Sequence, residues 1–301
     1  MPPRQPRVSR SRSARANRHG PLNRQRPEAP DPLPATAVDS HCHLDIIAES
    51  MVQDGHAKVD VDEELAAAAA VGISRVVQVG VDVDSSRWSA DLAMRRPDVL
   101  AMVALHPNEA GAGAATAEAL AEIDRLAALP RVRGIGETGL DHFRTSEDGW
   151  AVQEQAFRAH IDIAKRRGIA LMIHTRDAYE DVLRVLDQEG APEHTVLHCY
   201  SSDAETARRC LDRGLVLSFS GTVTFSNARA TAQAAAITPL DQMLVETDAP
   251  FLTPMPFRGR PNAPYLTPYT IRALAELTRT DLATLCQGLT ATAERVFGPW
   301  N

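Results

Sequence analysis

The sequence predicts an α/β protein, a (β/α)8 TIM barrel that forms a single domain behind a disordered N-terminal tail. Strand-like and helix-like segments alternate along residues 34–301, which is typical of a parallel sheet with helices packed outside it. Side chains able to bind metal ions recur near the ends of five strand-like segments. A closed barrel is the arrangement that brings the ends of so many parallel strands around one centre.

Eight short runs rich in Val, Ile and Leu predict strands that are buried on both faces. In order, they cover residues 35–41, 73–80, 99–106, 132–139, 169–175, 194–200, 215–221 and 242–248. Eight repeats fit the length of a barrel, which takes about 250 residues. An open, doubly wound sheet is the competing fold, but it would place its site at one switch point. The candidate ligands come instead from the first, fourth, fifth, sixth and eighth strands.

Helix-like stretches of mixed charge lie between these strands and after the last one. They cover residues 61–71, 83–95, 114–128, 149–167, 178–189, 203–213, 227–237, 269–278 and 281–297. Gly168 and Gly214 stand where C-cap glycines would end helices just before strands. Ser202 and Asp203 can cap the start of the helix between those two glycines.

The first 33 residues differ in composition from the rest of the chain. They hold eight of the 32 basic residues, all of them Arg, and no acidic residue precedes Glu28. Because this segment has no apolar periodicity, it cannot bury enough surface to offset its ordering entropy. We therefore predict a disordered tail over residues 1–33 and a barrel over residues 34–301.

The barrel segment is acidic. It keeps 24 basic and 37 acidic residues, a net charge of −13, because the tail carries the other eight Arg and two acids. Such a charge argues against a broad nucleic-acid surface, although an enzyme could still grip one or two phosphates through metal ions. No run is apolar enough to span a membrane. The spacing of the four cysteines fits neither disulfides nor a zinc knuckle, so we expect a cytoplasmic protein with no membrane partner.

Six side chains form the candidate metal centre. They are His41, His43, Glu137, His174, His198 and Asp248. The first two histidines lie two residues apart, so they share one face of a strand and can reach the same ion. Taken alone, a histidine that closes an apolar strand is more often a hydrogen-bonded structural residue than a ligand. Four imidazoles and two carboxylates in register are more ligands than one closed metal site takes, but they suit a site for two divalent ions.

The two ions would have separate ligands and one shared bridge. One ion would be bound by the histidine pair of the first strand and Asp248, and the other by His174 and His198. Glu137 would bridge both with its two carboxylate oxygens. Nitrogen ligands fit Zn²⁺ or Mn²⁺ better than a site made for Mg²⁺ alone, so the predicted cofactors are two divalent ions, Mg²⁺, Mn²⁺ or Zn²⁺.

Metal pairs of this kind serve hydrolysis, because they activate a water molecule and hold a leaving-group oxygen. Asp248 is expected to take the proton from that water as general base, so Asp248 and Glu137 are the predicted catalytic residues. Glu246 shares a strand face with Asp248 but lies deeper, so we expect it to orient a ligating histidine. Neither of the two lysines, Lys58 and Lys165, ends the fourth strand, so the bridge must be a carboxylate rather than a carbamylated lysine.

An ordered set of motifs runs from Val38 to about Phe297: DSHCHLD, LHP, GIGETGLD, IHTRDA, HCYSS, SFSGTVTF, ETDAPFL and RGRPNAPYL. In these motifs the chain resembles the TatD family of metal-dependent hydrolases, within the amidohydrolase-like barrels. The resemblance implies a TIM barrel, divalent metal ions and deoxyribonuclease activity, often exonucleolytic in the 3′–5′ direction, with a role in DNA catabolism. It places the family's metal ligands on the six residues of the candidate centre. It also implies a monomer whose substrate is DNA, single-stranded or at 3′ ends.

Three further positions match the family pattern and are expected to contact the substrate: His106 in ALHPNEA, Arg176 two residues after a ligand, and Arg258 in the Pro-rich loop after the eighth strand. A planar guanidinium suits phosphate oxygens. Each position also has an ordinary explanation. The histidine could be structural, Arg176 could form a surface salt bridge, and Arg258 could brace the rim together with Asn262.

The chain departs from the family pattern at the barrel rim. It has HCYSS where HCFSG is usual, RGRPNAP where RGKRNEP is usual, and GLDHF, with His142, where GLDYY is usual. None of these differences removes a ligand, but they alter the surface that a substrate meets. Two other functions therefore stay open. One is hydrolysis of carboxylic or aminoacyl esters, lactones or amides at the same centre, and the other is an inactive barrel that binds nucleic acid through its Arg-rich tail.

Overall fold

The computed structural model of the protein describes residues 25–53 and 59–300. Its centre is a sheet of eight parallel strands, in which every strand pairs with the next one along the chain. The strands are β1 (Ala37–Cys42), β2 (Ile73–Val79), β3 (Val99–Val103), β4 (Val132–Asp141), β5 (Ala170–Arg176), β6 (Thr195–Leu197), β7 (Val216–Phe219) and β8 (Met243–Val245). The predicted (β/α)8 TIM barrel is confirmed.

Helices follow the strands and cover the outside of the barrel. They are α1 (Leu44–Gln53), α2 (Val61–Ala70), α3 (Val83–Arg95), α4 (Pro107–Glu109), α5 (Ala117–Leu126), α6 (Glu147–Arg167), α7 (Tyr179–Glu189), α8 (Ala204–Leu211), α9 (Arg229–Ile237), α10 (Thr267–Thr278) and α11 (Leu282–Phe297). Short helical turns lie at Ala110–Ala114, Gly221–Thr224, Leu240–Gln242 and Pro264–Leu266. Among the residues that the structure describes, no helix combines the length and the apolar character needed to cross a lipid bilayer.

Two predicted helix boundaries are confirmed. Gly168 ends α6 in the left-handed region, with φ 64° and ψ 37°, a conformation that glycine adopts without the steric cost of a Cβ. Asp203 begins α8, because its side chain accepts a hydrogen bond from the Thr206 N–H. Helix α1 is an addition to the prediction, which placed the first helix at residue 61.

Three strands end three residues earlier than predicted, so several site residues stand on the turns that follow. The strands β3, β6 and β8 end at Val103, Leu197 and Val245. Positive φ angles at Cys199 (46°) and Asp248 (54°) interrupt the pleat after β6 and β8. After β3, the backbone turns into α4, for which His106 is the N-cap. The strand-end prediction therefore holds for the position of the site, but not for the extent of these three strands.

The barrel closes between β8 and β1 through one backbone bridge and a buried side-chain pair. The backbones of Cys42 and Ala249 form an isolated parallel β-bridge. Next to it, the Asp248 N–H donates to the His41 carbonyl at 2.9 Å. The carboxylate of Asp39 accepts from Thr247 twice, from the backbone N–H at 2.9 Å and from the hydroxyl at 2.6 Å. Because these bonds replace a regular ladder, the seam depends on the side chains of Asp39 and Thr247.

An apolar core fills the inside of the barrel and forms the floor of the site. It consists of Val38, Val77, Val79, Leu100, Met102, Ala170, Met172, Val196, Val216 and Leu244 from the strands, with Ala293, Val296, Phe297 and Trp300 from the end of the chain. Strand β4 adds glycines instead. A Cβ on Gly136 would lie 2.7 Å from the Met172 Cβ, and one on Gly139 (φ 128°) would lie 2.2 Å from the His174 carbonyl oxygen. Only glycine lets β4 and β5 approach this closely.

The predicted disordered tail needs a correction at its C-terminal end. Residues 25–33 lie against the barrel: the Leu33 N–H donates to the Val71 carbonyl at 3.0 Å, and Leu33 is only 9% exposed. Arg26 pairs with the buried Glu64, with one N–O distance of 2.6 Å. The prediction is wrong for residues 25–33 because one apolar anchor and one ion pair outweigh the polar composition. Residues 1–24 of the predicted tail lie outside the described residues.

Candidate metal centre

All six predicted ligands lie together at the mouth formed by the C-terminal ends of the strands. Strands β1, β4 and β5 carry His41, Glu137 and His174, while His43, His198 and Asp248 follow the last residues of β1, β6 and β8. Together with His106, these residues form three overlapping groups. Within each group, one possible ligand atom of every residue lies within 4.8 Å of those of the others. The groups are His41 with His198 and Asp248, His41 with His43 and Glu137, and His106 with Glu137 and His174.

Glu137 lies at the centre of the cluster, and its two oxygens face different histidines. Oε1 lies 3.7 Å from His41 Nε2 and 3.4 Å from His43 Nε2. Oε2 lies 2.8 Å from His198 Nε2 and 3.3 Å from His174 Nδ1. A carboxylate placed in this way divides the histidines into the two pairs expected from the sequence.

Asp248 faces the first histidine pair from the opposite side of the mouth. Its Oδ1 lies 3.6 Å from His41 Nε2 and 3.5 Å from His43 Nε2. Its left-handed backbone is a conformation that aspartate tolerates better than most residues. The Phe251 N–H donates to the Asp248 carbonyl at 2.9 Å, which holds this turn and keeps the carboxylate directed towards β1.

The hydrogen bonds of His41 and His43 decide which ring nitrogen can bind a cation. His43 Nδ1 lies 2.9 Å from the Val79 carbonyl oxygen, and His41 Nδ1 lies 2.9 Å from the Met172 sulfur. Both partners can only accept a hydrogen bond, so Nδ1 carries the proton in each neutral ring. The lone pair of Nε2 is therefore left for the cavity that Glu137 faces.

In the second histidine pair, one ring nitrogen of each histidine also lies next to an acceptor, which here is a carboxylate oxygen. His198 Nδ1 lies 3.2 Å from Glu246 Oε1, which leaves Nε2 for the cavity and agrees with the orienting role expected for Glu246. His174 is reversed: its Nε2 lies 3.2 Å from Asp141 Oδ2, so Nδ1 is the atom left free. This is the nitrogen that faces Glu137. Buried acceptors of this kind are typical partners of metal-ligating histidines.

His106 differs from these four histidines. Its Nδ1 accepts a hydrogen bond from the Asn108 N–H at 3.1 Å, so the proton of the neutral ring lies on Nε2. Nε2 is the atom that lies 3.7 Å from Glu137 Oε2. Burial lowers the pKa of His106 to about 4 although Glu137 raises it, so the ring is neutral at pH 7. His106 is thus placed as a hydrogen-bond donor to the cavity, not as a fifth nitrogen ligand.

The charges of the centre favour a cation. Burial raises the pKa of Glu137, but nearby His198 and His106 bring it well below its ordinary value. Burial lowers the pKa of His198, but Glu137 and Glu246 bring it well above its ordinary value. Protons on the histidines thus supply the positive charge that the buried acids require. A divalent cation would supply the same charge, so donor set, tautomers and charge together fit a metal centre.

The three predicted substrate residues lie around this centre, and the two arginines among them have no acidic partner among the described residues. His106 lines the cavity. The Arg176 guanidinium carbon lies 3.8 Å from the centroid of the Phe143 ring, and that of Arg258 lies 4.3 Å from the centroid of the Phe225 ring. The alternative of a surface salt bridge for Arg176 therefore finds no support among the described residues. Asn262 braces the rim, because its side-chain N–H donates to the Thr247 carbonyl at 2.9 Å.

Asp141 is the site residue that the sequence prediction does not include. It is buried, it holds His174 through Oδ2, and its Oδ1 accepts the N–H groups of Phe143 and Arg144. The signal that could have found it is alternation, because residues 137, 139 and 141 share one face of β4. This carboxylate is the last residue of the motif GIGETGLD.

Comparison with known proteins identifies the family. The family model described as TatD related DNase matches residues 38–298. A metal-dependent hydrolase named TatD from Mycobacterium tuberculosis is 48% identical over 265 residues, covering 87% of this chain and 97% of that protein. The metal-dependent hydrolase YcfH of Escherichia coli K12 is 37% identical over 262 residues, covering 86% and 95%.

A solved structure shows the same fold. The crystal structure of YJJV, a TatD homologue of Escherichia coli K12, superposes with a TM-score of 0.79 at 24% identity, covering 87% of this chain and 98% of that chain. The family match extends over most of the barrel and includes all six residues of the candidate centre. The chain therefore belongs to the TatD family and is a metal-dependent hydrolase.

Proposed function

We propose that this hydrolase cleaves phosphodiester bonds of DNA, acting on single strands or 3′ ends in the manner of a 3′–5′ exonuclease. The observation that carries the proposal is the division of the histidines by the two oxygens of Glu137. Two ions held on either side of one carboxylate suit phosphodiester cleavage, in which both the attacking and the leaving oxygen need stabilisation. The description of the matching family, TatD related DNase, supports the same substrate.

The cofactors of this proposal are two divalent ions. His41, His43 and Asp248 would hold one of them, His174 and His198 the other. The four imidazole donors favour Zn²⁺ or Mn²⁺, while the carboxylates leave Mg²⁺ open. When bound, the ions supply Lewis acidity, which lowers the pKa of water and neutralises phosphate charge.

The protein's own groups orient the substrate and move the proton. Burial raises the pKa of Asp248, but the hydrogen bond with His43 and nearby histidines bring it below its ordinary value. The carboxylate is therefore ionised at neutral pH and can accept the proton of the attacking water as general base. The Nε2–H of His106 donates to a phosphate oxygen, and Arg176 binds the next phosphate.

The unpaired cations at the mouth favour an anionic substrate over a neutral ester, lactone or amide. Arg176 and Arg258 rest on aromatic rings and have no carboxylate partner among the described residues. A neutral substrate would leave both charges uncompensated at the rim. We further propose that the enzyme works in the cytoplasm, since its four cysteines are free thiols, which suits a reducing compartment. We also propose that it works as a monomer.

A pair of variants tests the proposal. Glu137→Gln keeps the shape of the bridge but removes its charge, and we expect turnover of a 3′-labelled single strand to fall about 100-fold or more, with loss of bound metal. His106→Ala is the matched variant, because it removes a donor that is not a ligand. Its turnover should fall about 100-fold while its metal content, measured by elemental analysis, stays that of the parent.

The substrate is tested on the parent with Mg²⁺, Mn²⁺ and Zn²⁺. Cleavage from a 3′ end, with no hydrolysis of carboxylic esters, lactones or aminoacyl esters, is the expected result. Ester hydrolysis without DNA cleavage would replace the proposed substrate. A Glu137→Gln variant with the parent's turnover would remove the bridging role.

A further inference from the structure

The arginines of the barrel mouth differ from many of those on the outer helices. Along the helices, Arg87, Arg158, Arg184 and Arg209 form ion pairs with neighbouring acids. At the mouth, the side chains of Arg176, Arg258 and Arg260 lie over aromatic rings instead. None of these three forms an ion pair with any residue in the described ranges. The mouth of a protein with net charge −7 therefore offers uncompensated positive charge beside exposed aromatic surface.

Phe143 is the most exposed of these aromatic rings. It stands on the loop after β4 and is 63% exposed, although its ring is large and apolar. The guanidinium carbon of Arg176 lies 3.8 Å from the ring centroid, so the cation covers one face. The ring is therefore held in place from one side, while most of its surface stays open to solvent.

A single carboxylate connects this ring to the metal centre. Asp141 Oδ1 accepts the Phe143 N–H at 3.0 Å, and Asp141 Oδ2 lies 3.2 Å from His174 Nε2. The Asp141 N–H in turn donates to Gln153 Oε1 at 3.0 Å. The loop is therefore fixed by buried groups. The Asp141 side chain alone connects the backbone of Phe143 to the candidate ligand His174.

The opposite side of the mouth also presents an aromatic ring. Phe251 is 49% exposed, and its ring meets that of His43 edge to face at a centroid distance of 6.3 Å. Phe251 follows β8 and Phe143 follows β4, so the strand order places the two rings on opposite sides of the mouth. Aromatic faces next to cations are the usual means of holding unpaired nucleobases next to their phosphates.

We propose that Phe143 is a stacking platform for an unpaired base at the 3′ end of the substrate, with Arg176 both supporting the ring and binding the adjacent phosphate. The inference rests on the proposed function, which it deepens by naming a specificity residue. A base inside a duplex is already stacked on both faces, whereas an unpaired base can turn a face to the ring, so the platform favours single-stranded ends. Stacking is tolerant of sequence, since every base has a π-face.

The test compares base-bearing and abasic ends. Two single strands are used that are identical except that the last two nucleotides carry adenine or lack a base. With the metal-loaded parent, KM for the abasic strand should be about tenfold higher, within the range of stacking effects. Phe143→Ala should raise KM for the base-bearing strand about tenfold and leave KM for the abasic strand as in the parent. Phe143→Trp should restore the parent's KM.

Met94→Ala is the matched control, because Met94 is a large apolar side chain on α3, 49% exposed and remote from the mouth. It should leave both KM values unchanged. An equal rise of both KM values in Phe143→Ala would show that the ring only positions Arg176. No rise in either would remove the platform altogether.

A binding experiment keeps this test separate from the proposed cleavage. Fluorescence anisotropy with strands protected by phosphorothioate linkages measures affinity whether or not the parent hydrolyses DNA. Weaker binding of the base-bearing strand alone in Phe143→Ala supports the platform, and equal affinity overturns it. Failure of the parent to cleave DNA or bis(4-nitrophenyl) phosphate would instead overturn the proposed function.

Discussion

Each of the four histidines of the candidate metal centre has a different acceptor on its second ring nitrogen. The acceptors are a carbonyl oxygen, a thioether sulfur and two carboxylates. Each of them fixes the proton of the neutral ring on that second nitrogen, so the nitrogen that faces the cavity is the one that can give its lone pair to a cation. His106 has a donor in that place, and its opposite tautomer separates it from the ligands. The role of a histidine here is thus decided by the group behind it.

Metal binding should release protons at neutral pH. Burial lowers the pKa of His43, but hydrogen bonds with Asp248 and Glu137 raise it to about 10, and the pKa of His198 is likewise raised. Both rings are protonated below these pKa values in the metal-free protein, so a cation must displace their protons, and apparent affinity rises with pH. Calorimetric titration at pH 7 in buffers of different ionisation enthalpy counts the protons. Release of almost no protons on metal binding, with equal metal affinity at pH 6 and pH 8, would contradict this expectation.

Residue types were easier to predict than residue roles. The candidate ligands follow from strand periodicity, because His41 and His43 are expected to share a face and apolar runs locate the strand ends. The acceptors behind them cannot be found in this way. Val79 contributes only a backbone oxygen and Met172 looks like ordinary core, and both meet β1 from other strands. Their roles exist only once the barrel has closed.

At the scale of elements, the seam between β8 and β1 has the least regular backbone pairing of the barrel wall. Its regular backbone pairing is reduced to a bridge, and the bonds between Asp39 and Thr247 replace the rest. Burial raises the pKa of Asp39 to about 7, although the bonds from Thr247 lower it. The carboxylate is thus costly to bury and depends on its donors.

Thr247→Val should destabilise the metal-free protein through this seam. Valine keeps the shape but removes the hydroxyl that donates to Asp39, which leaves a buried carboxylate oxygen without that donor. We expect the free energy of unfolding to fall by about 1–3 kcal/mol, measured by urea denaturation. Thr290→Val is the control, since it removes a hydroxyl that donates to the Thr36 carbonyl at an exposed position. If the free energy of unfolding fell equally in the two variants, the bond between Thr247 and Asp39 would contribute no more to stability than an exposed hydrogen bond.

The order and type of the predicted elements are confirmed, but their ends were harder to predict. The predicted strands continue through residues 200 and 248, beyond Leu197 and Val245, which are the last strand residues of β6 and β8. The positive φ angles at Cys199 and Asp248 arise from tertiary bonds, such as that between Asp248 and His41, and leave no mark in composition. Helix α1, which begins at Leu44 directly after His43, is not among the predicted helices.

For the whole molecule, the boundary of the folded unit lies before the predicted residue 34. Composition alone favoured a longer tail, since residues 25–33 contain few apolar side chains. Leu33 packs into the core cluster, and the Tyr265 hydroxyl donates to the Pro27 carbonyl at 2.8 Å. Single anchors of this kind are too sparse to produce a periodic signal, so the sequence could not indicate them.

Two truncations check this boundary and separate the tail from the barrel in nucleic-acid binding. A chain that begins at Gln25 should keep the stability of the full chain. One that begins at Pro34 should lose about 2 kcal/mol or more, because it lacks Leu33. Thermal and urea unfolding measure both. DNA cleavage that survives in the first truncation would locate the substrate site in the barrel, whereas loss of DNA binding there would favour binding through the tail.

The tight approach of β4 to β5 at Gly136 and Gly139 has a practical consequence for redesign of the enzyme. Any larger residue there would collide with Met172 or the backbone of His174, so libraries that randomise this wall would yield mostly misassembled protein. New selectivity should be sought in the loops of residues 142–146 and 251–261, which can vary while the rigid wall keeps the reaction geometry in place.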